Sequence, residues 1–128
     1  MKLVPFVRID DVAFSLTPAQ LRVRRGPPHR SDRNGVGLDE MDYGDVVFRF
    51  QASGRLEEVT KRASLIELPQ ASVPLPFLEG FLLDQDPASF ERVGFVVSPR
   101  FGLAYAPDSP GWITALAEHC IDTWRALR

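Results

Sequence analysis

The chain has 128 residues, 45% of them hydrophobic and 25% charged, a balance that suits one globular core and excludes a disordered or fibrous composition. Fifteen basic residues against seventeen acidic ones leave a net charge of −2, which gives no global field to hold the chain on nucleic acid or on an anionic membrane. A lone cysteine, Cys120, excludes an internal disulfide and fits a reducing compartment.

Along the chain, the apolar start Leu3, Val4, Phe6, Val7 is broken by Pro5 and followed by Arg8, Asp10 and Asp11. It is too short and too charged for a signal peptide. No run of roughly 18 apolar residues suggests a membrane span, so a cytoplasmic protein with no membrane contact is expected. The loose alternation from Val4 to Leu16 predicts one or two short strands. Thr17-Pro18 then supplies an N-cap and a first-turn proline, and a short helix is predicted to run to about Arg25, where Gly26 can end it and Pro27-Pro28 cannot continue it. Residues 26–37 show no hydrophobic period and many turn formers, which predicts an exposed, mobile loop.

Val46, Phe48 and Phe50 alternate on one face of a strand, and 51–54 turn it into Leu56 to Thr60, a hairpin. A third strand is expected over Ala63 to Leu68. Pro69, Pro74 and Pro76 then predict a long irregular excursion through Phe77, Leu78, Phe81, Leu82 and Leu83. Asp86-Pro87 suggests a single helical turn, and Val93 to Ser98 with Phe101 to Ala106 a second hairpin. Finally, Ser109-Pro110 reads as a helix start, and Trp112, Ile113, Leu116, Ala117, Cys120, Ile121, Trp124 and Leu127 recur at helical spacing. The sum is an α+β fold in a single domain, 1–128. It would have a mostly antiparallel sheet of about five to six strands, a short N-terminal helix and a longer C-terminal amphipathic helix.

No reactive constellation stands out. His119 and Cys120 are neighbours on the predicted helix and diverge by about 100°, so no metal site is expected of them, and Cys120 reads as an inert core thiol. Gly35-Val36-Gly37 follows no strand and opens no helix, so it is not a phosphate loop, and no cofactor is expected. The charges are segregated. Arg22, Arg24, Arg25, Arg30 and Arg33 precede an acidic run, Asp39, Glu40, Asp42 and Asp45, that also holds Tyr43. With no aromatic interleaved among the arginines, nucleic-acid binding is disfavoured. Carboxylates beside a tyrosine suit a surface that steers and docks a basic protein, which makes Asp39, Glu40, Asp42, Tyr43 and Asp45 the candidate partner-binding residues.

Arg24-Arg25-Gly26-Pro27-Pro28, then Tyr43 leading into Val46-Val47-Phe48-Arg49-Phe50, then Gly54-Arg55-Leu56-Glu57-Glu58-Val59, resembles the helix and β-meander layout of small bacterial immunity proteins. These belong to contact-dependent and type VI polymorphic toxin systems, and the likeness spans 16–60. It implies a non-enzymatic cytosolic protein that binds and neutralises one cognate toxin. The acidic run would suit a basic toxin such as a nuclease. Two other expectations are a small enzyme or ligand-binding domain with a pocket under 68–83, and an accessory domain dimerising through Phe77, Leu78, Phe81 and Leu82.

Overall fold

The computed structural model describes residues 1–127. Three two-residue strands open the chain, β1 (Leu3–Val4), β2 (Arg8–Ile9) and β3 (Val12–Ala13), joined as an antiparallel meander. Helix α1 (Pro18–Arg25) follows, with the Thr17 hydroxyl accepting from the Gln20 backbone N–H while the Gln20 side chain takes the Thr17 N–H. This reciprocal cap is the one the sequence predicts, and Gly26 closes the helix at φ +75°.

The remaining strands are β4 (Arg30–Arg33), β5 (Asp39–Asp42), β6 (Val46–Phe50), β7 (Leu56–Arg62), β8 (Leu65–Glu67), β9 (Ser72–Pro74), β10 (Phe90–Arg92), β11 (Phe95–Ser98), β12 (Leu103–Tyr105) and β13 (Trp112–Leu116). Between β9 and β10 lies helix α2 (Leu78–Gln85), entered through a 3-10 turn, and α3 (Cys120–Ala126) follows β13. An eight-stranded antiparallel sheet has the order β10-β11-β12-β13-β7-β6-β5-β4, with β8 and β9 forming a separate ribbon. Among the described residues the architecture is therefore α+β with a mostly antiparallel sheet and three short helices, but the main sheet has eight strands rather than five to six.

Five other expectations are corrected. Residues 30–33 are a strand, because β5 satisfies their backbone although all four side chains are exposed. The proline-rich excursion folds into β9, the 3-10 turn and α2, and the expected helical turn at Asp86 is only a turn following α2. Leu75, Leu78 and Leu82 are packed into the core there, so the four-residue apolar patch expected at Phe77, Leu78, Phe81 and Leu82 does not exist as a surface. The long C-terminal helix is split: 112–116 pair with β7 and β12, and only 120–126 are helical. A central strand buried on both faces is a continuous apolar run, which spacing alone does not separate from a buried helix.

One face of the sheet carries Val46, Phe48, Phe50, Val59 and Ile113 into the larger core, where Leu21 of α1, Leu78 and Leu82 of α2, and Leu3, Ile9 and Val12 of the meander cover it. On the opposite face Val97, Ala104 and Leu116 pack under Cys120, Ile121 and Trp124 of α3. That helix is only seven residues long. It shields the β11-β12-β13 half of its face, and the neighbouring β5-β6-β7 part carries Glu40, Arg49, Glu58 and Thr60 beside Val47.

Between β10 and β11 the chain reverses through Val93 and Gly94, both at positive φ (47° and 85°). A β-branched residue is strained there, whereas asparagine is at home in such a hairpin turn. Val93 is 56% exposed, so its side chain contributes little packing to offset the strain. Val93→Asn is expected to stabilise the fold by about 1 kcal/mol, read as a rise of several degrees in Tm. A fall in Tm would contradict the strained turn.

Candidate functional site

The candidate site is a groove on the partly covered face, bounded by the β4–β5 hairpin tip, the β6–β7 surface and α3. Its volume is about 470 Å3, with Asn34, Val36 and Leu38 on the tip side and Thr123, Trp124 and Leu127 on the helix side. A second hollow of about 270 Å3, lined by Thr60, Phe95, Trp112 and Thr114 among others, shares Arg49, Glu58 and Trp124 with it.

Local structure explains the floor. In the β6–β7 hairpin Arg49 lies opposite Glu58, and Glu40 lies opposite Arg49 on β5, so strand pairing alone stacks the three charges in one row. Arg49 Nε donates to Glu40 Oε2 at 2.6 Å, and its Nη1 donates to Thr60 Oγ1 at 2.6 Å while lying 3.8 Å from Glu58 Oε2. Thr60 in turn shares a hydrogen bond with Thr114 at 2.8 Å. One guanidinium thus serves two carboxylates. Glu58 is held above the usual carboxylate range, chiefly by burial and further by Glu57 and Glu40, with Arg49 opposing.

Next to Glu58 the register slips: Arg49 pairs with Glu58 but Phe50 pairs with Leu56, which leaves Glu57 as the extra residue of a β-bulge. A bulge re-aims a side chain, and here the Glu57 carboxylate, only 3% exposed, turns toward the start of α3. Its Oε2 meets His119 Nε2 and accepts from Cys120 Sγ at 2.9 Å, while its Oε1 accepts from Arg55 Nε and Nη2, both at 3.2 Å. Burial by itself raises the Glu57 carboxyl, but the bonds from Cys120 and His119 and the nearby Arg55 outweigh it and hold it below the usual range.

The expectation that His119 and Cys120 diverge too far to share a site is overturned. Their donor atoms and a Glu57 oxygen all lie within 4.8 Å of one another, because the carboxylate sits in the notch between the two side chains. The arrangement is not a thiol protease triad. Cys120 donates to the carboxylate and not to the imidazole, and burial followed by the adjacent Glu57 charge pushes its thiol far up, so it stays protonated.

The acidic run is split by strand periodicity. Glu40 and Asp42 belong to the groove face, pairing with Arg49 and Arg30, whereas Asp39 is on the α1 side with Arg33 Nε at 3.1 Å. Tyr43 is tucked against the end of α1, its hydroxyl donating to Gly26 O at 3.0 Å and its ring set edge-on to Phe48. Asp45 lies in the turn before β6, where its carbonyl accepts from Arg62 N–H. Of the five sequence-derived candidates, only Glu40 is tied to the groove floor, through its bond to Arg49, and its own side chain is not part of the lining. Arg49, Glu57 and Glu58 were not among the candidates, and His119 and Cys120 were considered and set aside. The sequence signal for Glu57 was the Glu57-Glu58 doublet, which breaks alternation between Leu56 and Val59.

Fold and site together define an α+β domain with a charged groove on an incompletely covered antiparallel sheet. No family model matches the chain, and no curated protein or solved structure matches it. No helix among the described residues is long and apolar enough to cross a membrane.

Proposed function

We propose that the chain is a non-enzymatic protein-binding domain of the immunity type, whose groove receives a basic side chain of a bacterial toxin domain. The observation that carries this reading is the shared guanidinium: Glu40 and Glu58 have one Arg49 between them. A carboxylate is in excess there. A lysine or arginine entering from a partner would complete the row with a second cation, gaining a partly desolvated ion pair. Val36, Leu38, Trp124 and Leu127 would supply the apolar contact. Asp42, on the same face of β5, would add to the attraction during approach.

The test is to identify the product of the neighbouring gene, for which a toxin-like domain is expected, and to co-express it with this chain. Protection of the host cell and a salt-sensitive complex are expected. Glu40→Gln combined with Glu58→Gln should weaken the purified complex by at least about tenfold and flatten its salt dependence. A double variant that binds with wild-type kinetics would remove the groove from the interface. Failure of the parent chain to bind or protect would remove the immunity reading itself.

A further inference from the structure

We infer that Glu57, His119 and Cys120 form a three-ligand site for a borderline divalent cation, Zn2+ in the first place, at the α3 end of the groove. The argument starts from donor chemistry. A carboxylate, an imidazole and a thiol are three of the donors zinc takes, and the sulfur and nitrogen pair selects against Mg2+ and Ca2+, which take oxygen. A tetrahedral ion with bonds of about 2.0–2.3 Å places its donors roughly 3.3–3.8 Å apart. The three donor atoms already share a space within 4.8 Å of one another, with the Glu57 oxygen in contact with both others, so side-chain shifts of about an ångström would open the cage to zinc's spacing.

Two independent features mark the cluster as more than a buried hydrogen bond. Glu57 is the extra residue of a bulge, so a departure from regular pairing delivers its carboxylate to this point. Its two oxygens are also divided: Arg55 holds Oε1 from the outside, and Oε2 alone is directed at His119 and Cys120. An outer partner that fixes the orientation of a ligating carboxylate is how metal sites set their first ligands. The Cys120 thiol proton would leave to solvent as the Zn–S bond forms, since a coordinating thiol is deprotonated outright. Thiolate and carboxylate then balance the 2+ charge of the ion. All three ligands border the groove, which has room for water or a partner's donor at the fourth position.

The experiment is metal titration of the purified full-length chain after chelator treatment. One equivalent of Zn2+ should bind with release of a proton and raise Tm. Co2+ in its place should give a thiolate charge-transfer absorption. Cys120→Ser should abolish that absorption, and His119→Gln should weaken Zn2+ by at least roughly tenfold. Arg55→Gln, at an exposed position that leaves the core untouched, should weaken it by about ten- to a hundredfold. If Cys120→Ser fails to fold, the His119 and Arg55 variants still decide. No uptake in excess ion, uptake without the thiolate band, or affinity unchanged in both His119→Gln and Arg55→Gln would each overturn the site.

Discussion

Trp124→Ala is expected to lower stability by about 3–5 kcal/mol, seen as a lower urea midpoint at an unchanged slope. Trp124 is 8% exposed and is the largest of the three buried side chains, with Cys120 and Ile121, that hold a helix of only seven residues on the sheet. Its ring meets Phe95 edge-on with centroids 5.1 Å apart and packs in one cluster with Val97, Ala104 and Leu116. A helix this short has no independent stability, so truncating its main anchor costs both the aromatic contact and the ordering of the turns around it. Against a total of about 5–15 kcal/mol, such a loss leaves a marginal fold. An unchanged midpoint would mean that α3 is not anchored by this ring. Because Trp124 also borders both parts of the groove, the variant should lose partner binding along with stability.

What could be read from the sequence follows from how local each signal is. Helix α1 was legible because Thr17, Pro18, Gln20 and Gly26 each specify a backbone position within one or two turns. The β6–β7 hairpin was legible because alternation over Val46, Phe48 and Phe50 matches a half-buried strand. Strand β4 was not, since Arg30-Ser31-Asp32-Arg33 bury no side chain and are held by backbone pairing to β5 and by exposed ion pairs to Asp42 and Asp39 across it. The assignment of 112–116 to helix had the larger consequence. Antiparallel pairing of β13 with β7 sets Leu116 opposite Glu58 and so carries His119 and Cys120 to Glu57, 62 and 63 residues earlier in the chain. Reading those residues as one long helix made that meeting invisible. The ionic row of Glu40, Arg49 and Glu58 was within reach, because a hairpin register fixes which charges oppose one another.

Asp86→Ala is expected to cost about 3 kcal/mol near pH 7, and most of that deficit should disappear in acid. Asp86 is 3% exposed and ends α2. Its Oδ2 accepts from the Ser98 hydroxyl at 2.7 Å and from Arg100 N–H at 3.0 Å, and its Oδ1 accepts from Ala88 N–H at 3.0 Å. These bonds tie the end of α2 to the β11–β12 turn, and removing the carboxylate strands buried donors on both sides. The Arg100 guanidinium donates to Gln85 O at 2.7 Å, and among the described residues the Asp86 carboxylate takes part in none of the ion pairs found. Burial raises the Asp86 carboxyl, but the bonds from Arg100 N–H, the Ser98 hydroxyl and Ala88 N–H outweigh it and hold it below 3.8, its ordinary value. A carboxyl with a depressed folded value contributes its stability above the unfolded value and loses it as pH falls through the folded one. Asp10 and Glu57 are held low as well, so acid weakens the parent chain through all three groups. The diagnostic quantity is therefore the difference between parent and Asp86→Ala, measured by urea unfolding at neutral pH and at about pH 3. It should narrow in acid, and a difference that stays constant with pH would show that Asp86 contributes by packing and not by its charge.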